Sequence, residues 1–320
     1  MDELQEHISE TTQAVPPQRA ANTEPMSFVE RHNIHPFLFA IATLIIIFVL
    51  YQVGGGLIVF FATGTGSVTP GNVQLVRLLT MAGQIFFLFV PTIWFARLFS
   101  RRTHELFSLR MPSVQESLLA LAALFSLQRV CEAYMFFQDK IPVPKLLQDF
   151  LDPLKKMMEN LTAVLIHSDS LPELFFVILV VAIVPAIAEE LLFRGLIQHT
   201  FNKIMPPVAA AMLTGIIFGL YHVNPFELVP LVGLGIFFGI LRYRSQSLVV
   251  PMAAHFINNV LAVLAGYFGM ANDTMLETVQ FTPAVSTVLF EFLIFGILFV
   301  WSFLIYLRVT RSVCAEKNVL

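Results

Sequence analysis

LPELFFVILVVAIVPAIAEELLFRGLIQH, residues 171–199, is the stretch on which the reading of the fold turns. It exceeds the ~20 apolar residues a helix needs to cross a bilayer. Yet its second half holds Glu189, Glu190 and Arg194. A charge near the bilayer centre costs at least ~2.5–3.5 kcal/mol, so such residues face protein or water and serve a purpose there. On a helix Glu190 and Arg194 are i,i+4 neighbours and can pair on one face. Glu189 lies about 100° round the helix from Glu190 and lacks that partner. One carboxylate is committed to an ion pair and the other is free for chemistry.

The rest of the chain has the same character. Of 320 residues, 57% are hydrophobic and 13% charged, with 32 Phe and a mean hydropathy of +0.76. Several long apolar runs make this an all-α, polytopic membrane helical bundle. A net charge of −3 argues against a nucleic-acid partner, leaving membrane lipid as the surroundings. Two cysteines, Cys131 and Cys314, provide neither a disulfide framework nor a Cys/His metal cluster. Residues 1–35 are polar, include Pro16-Pro17 and lack the apolar core of a secretory signal, so they read as a disordered tail.

About eight spans are expected, near 36–61, 76–99, 114–137, 171–199, 206–222, 226–241, 247–268 and 284–309. Between the third and fourth, residues 144–167 place Leu146, Leu147, Phe150, Leu151, Leu154, Met157, Met158 and Leu161 at helical spacing, interrupted by Pro153. That pattern predicts an interfacial amphipathic helix pair. Arg97, Arg101, Arg102 and Arg110 follow the second span, Arg242 and Arg244 the sixth, and Arg308 and Arg311 the eighth. The positive-inside rule then puts both termini in the cytoplasm. The loop 272–282 carries acids and no bases, as an outer loop should. The division is a tail over 1–35, a membrane domain over 36–312 and a second cytoplasmic tail over 313–320. Arg129 and Glu132 read as a buried structural pair, Glu291 as a snorkelling side chain and Asn258 as a packing residue.

Polar groups recur on three of the later spans. Glu189, Glu190 and Arg194 are on the fourth; the fifth ends in Phe218-Gly-Leu-Tyr-His222; the seventh holds His255-Phe-Ile-Asn-Asn259. These motifs, EExxxR, FxxxH and HxxxN in order, resemble those of the CPBP intramembrane proteases, the Abi and CAAX prenyl endopeptidase group. The likeness covers about 171–269. It implies a glutamate-dependent endopeptidase in which Glu189 and His222 hold and activate water, His255 and Asn259 donate to the oxyanion, and Arg194 positions Glu189 and Glu190.

The residue chemistry is compatible with that role. A buried carboxylate makes a better base, and amide and imidazole N–H groups can aim at developing negative charge. No GxSxG serine or HExxH pair is present. The favoured mechanism needs no cofactor; were a metal such as zinc to take part, Glu189, His222 and His255 would be its ligands. Peptide substrates bearing a prenyl group or a leader fit the resemblance, and a bacterial plasma membrane is the expected location. The competing reading is a non-proteolytic carrier or scaffold that uses the same polar cluster as a proton or ion relay or as a binding site.

Overall fold

The computed structural model describes residues 26–64, 68–269 and 283–313. Residues 1–25 of the expected first tail, 314–320 of the second, and the whole of the loop 272–282 lie outside the described residues. Order begins before residue 36, however. Ser27 and Glu30 cap the short helix α1 (Phe28–Arg31) reciprocally, and Ser27 and Val29 are buried. Part of the stretch expected as a disordered tail, residues 28–31, is therefore helical.

The described chain is helical and has no strand. After α1 come α2 (Pro36–Thr63), α3 (Val73–Phe99), the short α4 (Thr103–Leu106), α5 (Val114–Gln138) and α6 (Lys145–Ile166). Then follow α7 (Leu171–Phe201), α8 (Pro207–Tyr221), α9 (Leu228–Ser245), α10 (Val249–Tyr267) and α11 (Val285–Val309). Seven of these are long and apolar enough to cross a membrane. The remaining expected span, the fifth, is α8, which has only 15 residues, about 22 Å at 1.5 Å per residue, and is short of a ~30 Å hydrocarbon core.

The amphipathic segment is a single helix. α6 runs 22 residues through Pro153, which gives up one ladder bond without ending the helix. The C-terminus of α6 is fastened by the buried Arg77 of α3. That guanidinium donates to the Leu165 carbonyl at 3.0 Å, the Val164 carbonyl at 3.1 Å and the His167 carbonyl, and to Glu173 Oε1 at 2.6 Å. Carbonyls that a helix end leaves without partners are thus met by a cation, which the helix dipole also favours.

α7 lies between two apolar clusters. One gathers Ile47, Leu88, Phe95, Leu192, Phe193 and Phe218 from α2, α3, α7 and α8. The other gathers Leu124, Phe237, Phe238, Val250 and Tyr306 from α5, α9, α10 and α11. α8 and α9 form a close hairpin, because glycines face each other across it. A Cβ on Gly215 would sit 2.4 Å from Ile236 N, and one on Gly235 would sit 2.6 Å from the Gly215 carbonyl oxygen. Both motifs are small-xxx-small steps, Gly215/Gly219 and Gly235/Gly239, which let membrane helices approach at backbone distance.

Arg129 and Glu132 do pair, but the pair is not buried. Glu291 of α11 joins it at 2.7 Å from Arg129 Nη2, so this side chain ties α5 to α11 rather than snorkelling alone.

Candidate active site

Glu190 and Arg194 are both buried, and Arg194 Nη1 donates to Glu190 Oε1 at 2.7 Å. Burying such a pair is costly unless further contacts offset the desolvation, and they do so only in part, since Glu190 Oε2 and Arg194 Nε have no hydrogen-bond partner among the described residues. Arg194 Nη2 donates to the Gly235 carbonyl at 2.9 Å, reached because residue 235 has no side chain. Its guanidinium carbon lies 4.4 Å from the Phe218 ring centroid, 5.4 Å from Phe238 and 5.9 Å from Phe193. Three aromatic faces within about 6 Å give a buried cation a second source of stabilisation. One turn on, Gln198 donates to the Gly239 carbonyl at 2.9 Å, so α7 grips α9 at two glycines.

His255 of α10 joins the same carboxylate, its Nδ1 lying 3.0 Å from Glu190 Oε1. A carboxylate held by arginine only accepts, so His255 Nδ1 carries the proton. The ring stacks on Phe238 at 5.3 Å and meets Phe218 edge-on at 5.9 Å. His222, at the C-cap of α8, has Nδ1 2.8 Å from the Phe218 carbonyl. A carbonyl also only accepts, so here too Nδ1 carries the proton and Nε2 is turned outward.

Both Nε2 atoms converge on Glu189. Glu189 Oε2 is buried, accepts no hydrogen bond among the described residues, and stands 3.9 Å from His222 Nε2 and 4.0 Å from His255 Nε2. Those gaps exceed a direct hydrogen bond, and each is of a length that a water at ~2.8 Å from both of its atoms spans. Glu189, His222, Phe193, Tyr221, Tyr51, Gln52 and Leu88 line a cavity of about 130 Å³, room for a few waters at ~30 Å³ each.

Asn259 faces elsewhere. Its Nδ2 donates to the Val181 carbonyl of α7 at 3.0 Å, and its Oδ1 accepts from Asn258 at 3.1 Å. Asn258 is therefore more than a packing residue: its own Oδ1 accepts from Gln128 of α5 at 3.0 Å. Gln128 and Asn258 escaped the motif reading, although a glutamine within an apolar span is a visible signal. Phe238, which stacks on His255, carries no signal in a chain with 32 Phe.

Three donors for a metal would have to close in. Ligands at ~2.0–2.2 Å in a tetrahedron sit about 3.4 Å apart, against 3.9 and 4.0 Å here. Among the described residues no group of three or more His, Cys, Asp or Glu is disposed to hold a metal ion. The set Glu189, His222 and His255 does not fit a metal as it stands.

Comparison with known proteins bears on the same segment. Residues 171–261 match the family described as Type II CAAX prenyl endopeptidase Rce1-like. The curated "Putative membrane peptidase YdiL" of Bacillus subtilis (strain 168) is 29% identical over 106 residues, 33% of this chain. The chain spans 42% of that relative's length. No solved structure matches. Glu189, Glu190, Arg194, His222, His255 and Asn259 all fall inside the matched segment, and over residues 171–261 the resemblance read from the three motifs, to a CPBP or CAAX-type protease, is borne out.

Proposed function

We propose that this multi-pass membrane protein is a glutamate-dependent intramembrane endopeptidase. The observation that carries the reading is the bare Glu189 Oε2, buried between two imidazole Nε2 atoms at 3.9 and 4.0 Å. In the proposed step Glu189 takes one proton from water while His222 Nε2 accepts a hydrogen bond from the other. The water oxygen bonds to the scissile carbonyl carbon, and the carbonyl electron pair moves onto oxygen. Collapse re-forms the carbonyl and breaks the C–N bond. The Glu189 proton goes to the departing nitrogen, leaving a carboxylic acid and an amine. Positioned proton transfer of this kind contributes about 10²–10⁴ in rate.

One water has two protons for three acceptors, so one of the three groups carries a proton of its own. With that proton on His255 Nε2, the ring can donate to the oxyanion, and Glu189 and Glu190 together offset the charges of His255 and Arg194. Asn259 has a second N–H beyond the one given to Val181. The mechanism routes no step through a metal.

Two observations bear on setting and substrate. Arg110 reaches the Ser245 carbonyl, Arg242 the Leu106 carbonyl and Arg244 the Leu307 carbonyl, which gathers these bases at one end of the bundle. We take that end, and both termini, as cytoplasmic. An apolar groove of about 290 Å³ between α2 and α8, lined by Ile41, Leu44, Phe48, Ile217 and Leu220, shares Tyr221 with the polar cavity. A peptide carrying a hydrocarbon group or an apolar leader suits it. The test uses purified protein in liposomes with a library of internally quenched apolar and lipidated peptides. Glu189→Gln should lose at least about 10²-fold in cleavage rate; a variant that cuts as fast as wild type would overturn the reading.

A further inference from the structure

Four π-helical turns interrupt the spans, at Val49–Gly54, Gln84–Phe89, Ile178–Ile183 and Leu191–Ile197. Three of these four turns bear on one place. The first supplies Tyr51 and Gln52, the second Leu88 and the fourth Phe193 to the cavity that Glu189 and His222 line. The third supplies the Val181 carbonyl that Asn259 binds. Such turns recur at functional sites. Here they draw in α2 and α3, which none of the three motifs includes.

The donors lining that cavity are mostly committed. Gln52 Nε2 donates to the Tyr221 carbonyl at 3.0 Å, and the Tyr221 hydroxyl donates to the Leu44 carbonyl at 3.2 Å. His222 Nδ1 is held by the Phe218 carbonyl. Beside the second N–H of Gln52, the Tyr51 hydroxyl is the donor that remains. Its ring packs over Gly83, where an added Cβ would lie 3.7 Å from Cε2. Gln84 follows that glycine in α3, and Glu189 lines the same cavity as Tyr51.

We propose that Tyr51 is a further catalytic residue, donating its phenolic hydrogen bond to the oxyanion of the tetrahedral intermediate. The assignment rests on the endopeptidase reading above. It also accounts for a site in which Asn259, the amide assigned to that oxyanion by resemblance, spends one N–H on Val181. A hydroxyl donor that meets charge only as it develops in a small protein-lined cavity acts in the transition state and hardly at all on the ground state.

The experiment compares wild type, Tyr51→Phe and Glu189→Gln in liposomes against the same quenched-peptide library. Tyr51→Phe keeps the ring over Gly83 and removes only the hydroxyl. It should lower kcat by about 10²–10³ with KM changed less than about threefold, as loss of an oxyanion donor does. Incorporating 3-fluorotyrosine at position 51, which keeps the O–H, should hold kcat within about tenfold of wild type. If Tyr51→Phe turns over like wild type while Glu189→Gln is inactive, the Tyr51 assignment alone falls. If Tyr51→Phe raises KM and leaves kcat, the residue binds substrate uniformly and the oxyanion role is rejected. Full activity in Glu189→Gln removes the endopeptidase reading and the Tyr51 role with it.

Discussion

Replacing Arg194 with methionine tests the frame on which the site is built. The substitution keeps an unbranched chain of similar reach and removes the charge. Both Arg194 and Glu190 have side chains with 0% exposure, so Glu190 would be left as a buried carboxylate without its cation. Breaking a buried pair from one side costs about 3–5 kcal/mol. The Gly235 carbonyl loses its donor as well, which adds about 1 kcal/mol. The expected loss is therefore about 4–6 kcal/mol, a large share of a typical folding free energy. The assay is denaturant unfolding in mixed micelles, read by tryptophan fluorescence and by gel mobility. A second variant, Glu190→Gln with Arg194→Met, removes both charges and should recover about 2 kcal/mol or more, because the two residues are directly coupled. A loss below about 1 kcal/mol in Arg194→Met, or a double variant no better than the single, would refute the claim that this buried pair, with its bond to Gly235, fastens α7 to α9.

Other outcomes follow from the same geometry. Gly235→Ala forces a Cβ to within 2.6 Å of the Gly215 carbonyl oxygen and should cost about 1–3 kcal/mol in unfolding assays, whereas Gly296→Ala, with nothing within 4 Å, serves as a neutral control. Arg77→Leu removes the donors at the end of α6, so hydrogen exchange after residue 163 should accelerate without change at α8 and α9. Chelation by EDTA should leave peptide cleavage within about twofold of the untreated rate, since the proposed proton transfer uses only side chains; abolition restored by zinc would reject the metal-free mechanism. Glu30 is held below the ordinary carboxylate range chiefly by the Ser27 backbone N–H. Its cap on α1 should be intact above the usual value of 4.5 and be lost as pH falls through its lowered one, read as faster exchange at Ser27 and Glu30.

Some of this was legible in the residues alone. The Glu190–Arg194 pair follows from i,i+4 spacing, and the isolation of Glu189 follows from the 100° step, because local helix geometry decides both. The meeting of Glu189 with His222 and His255 needed the cost of polar groups in lipid together with three ordered motifs. What stayed hidden depends on partners far along the chain. Asn259 turns to Val181 because a π turn loosens the ladder of α7 there, and no residue pattern in ILVVAI marks that turn. Glu291 finds Arg129 only once α11 packs along α5. The small-xxx-small spacing of α8 and α9 could be seen in sequence, but not that the two would clasp each other with Gly235 bared to Arg194. Ser27-x-x-Glu30 was a readable capping box that the polar composition of the first 35 residues concealed.

The central claim concerns one solvent molecule, and an experimental map resolving ordered water at this site tests it most directly. The account predicts a single peak at about 2.6–3.2 Å from Glu189 Oε2, His222 Nε2 and His255 Nε2. A peak drawn in to about 2.0–2.2 Å by three closing ligands would be a metal ion and contradict it, as would side chains of Glu189 and His222 turned to separate neighbours.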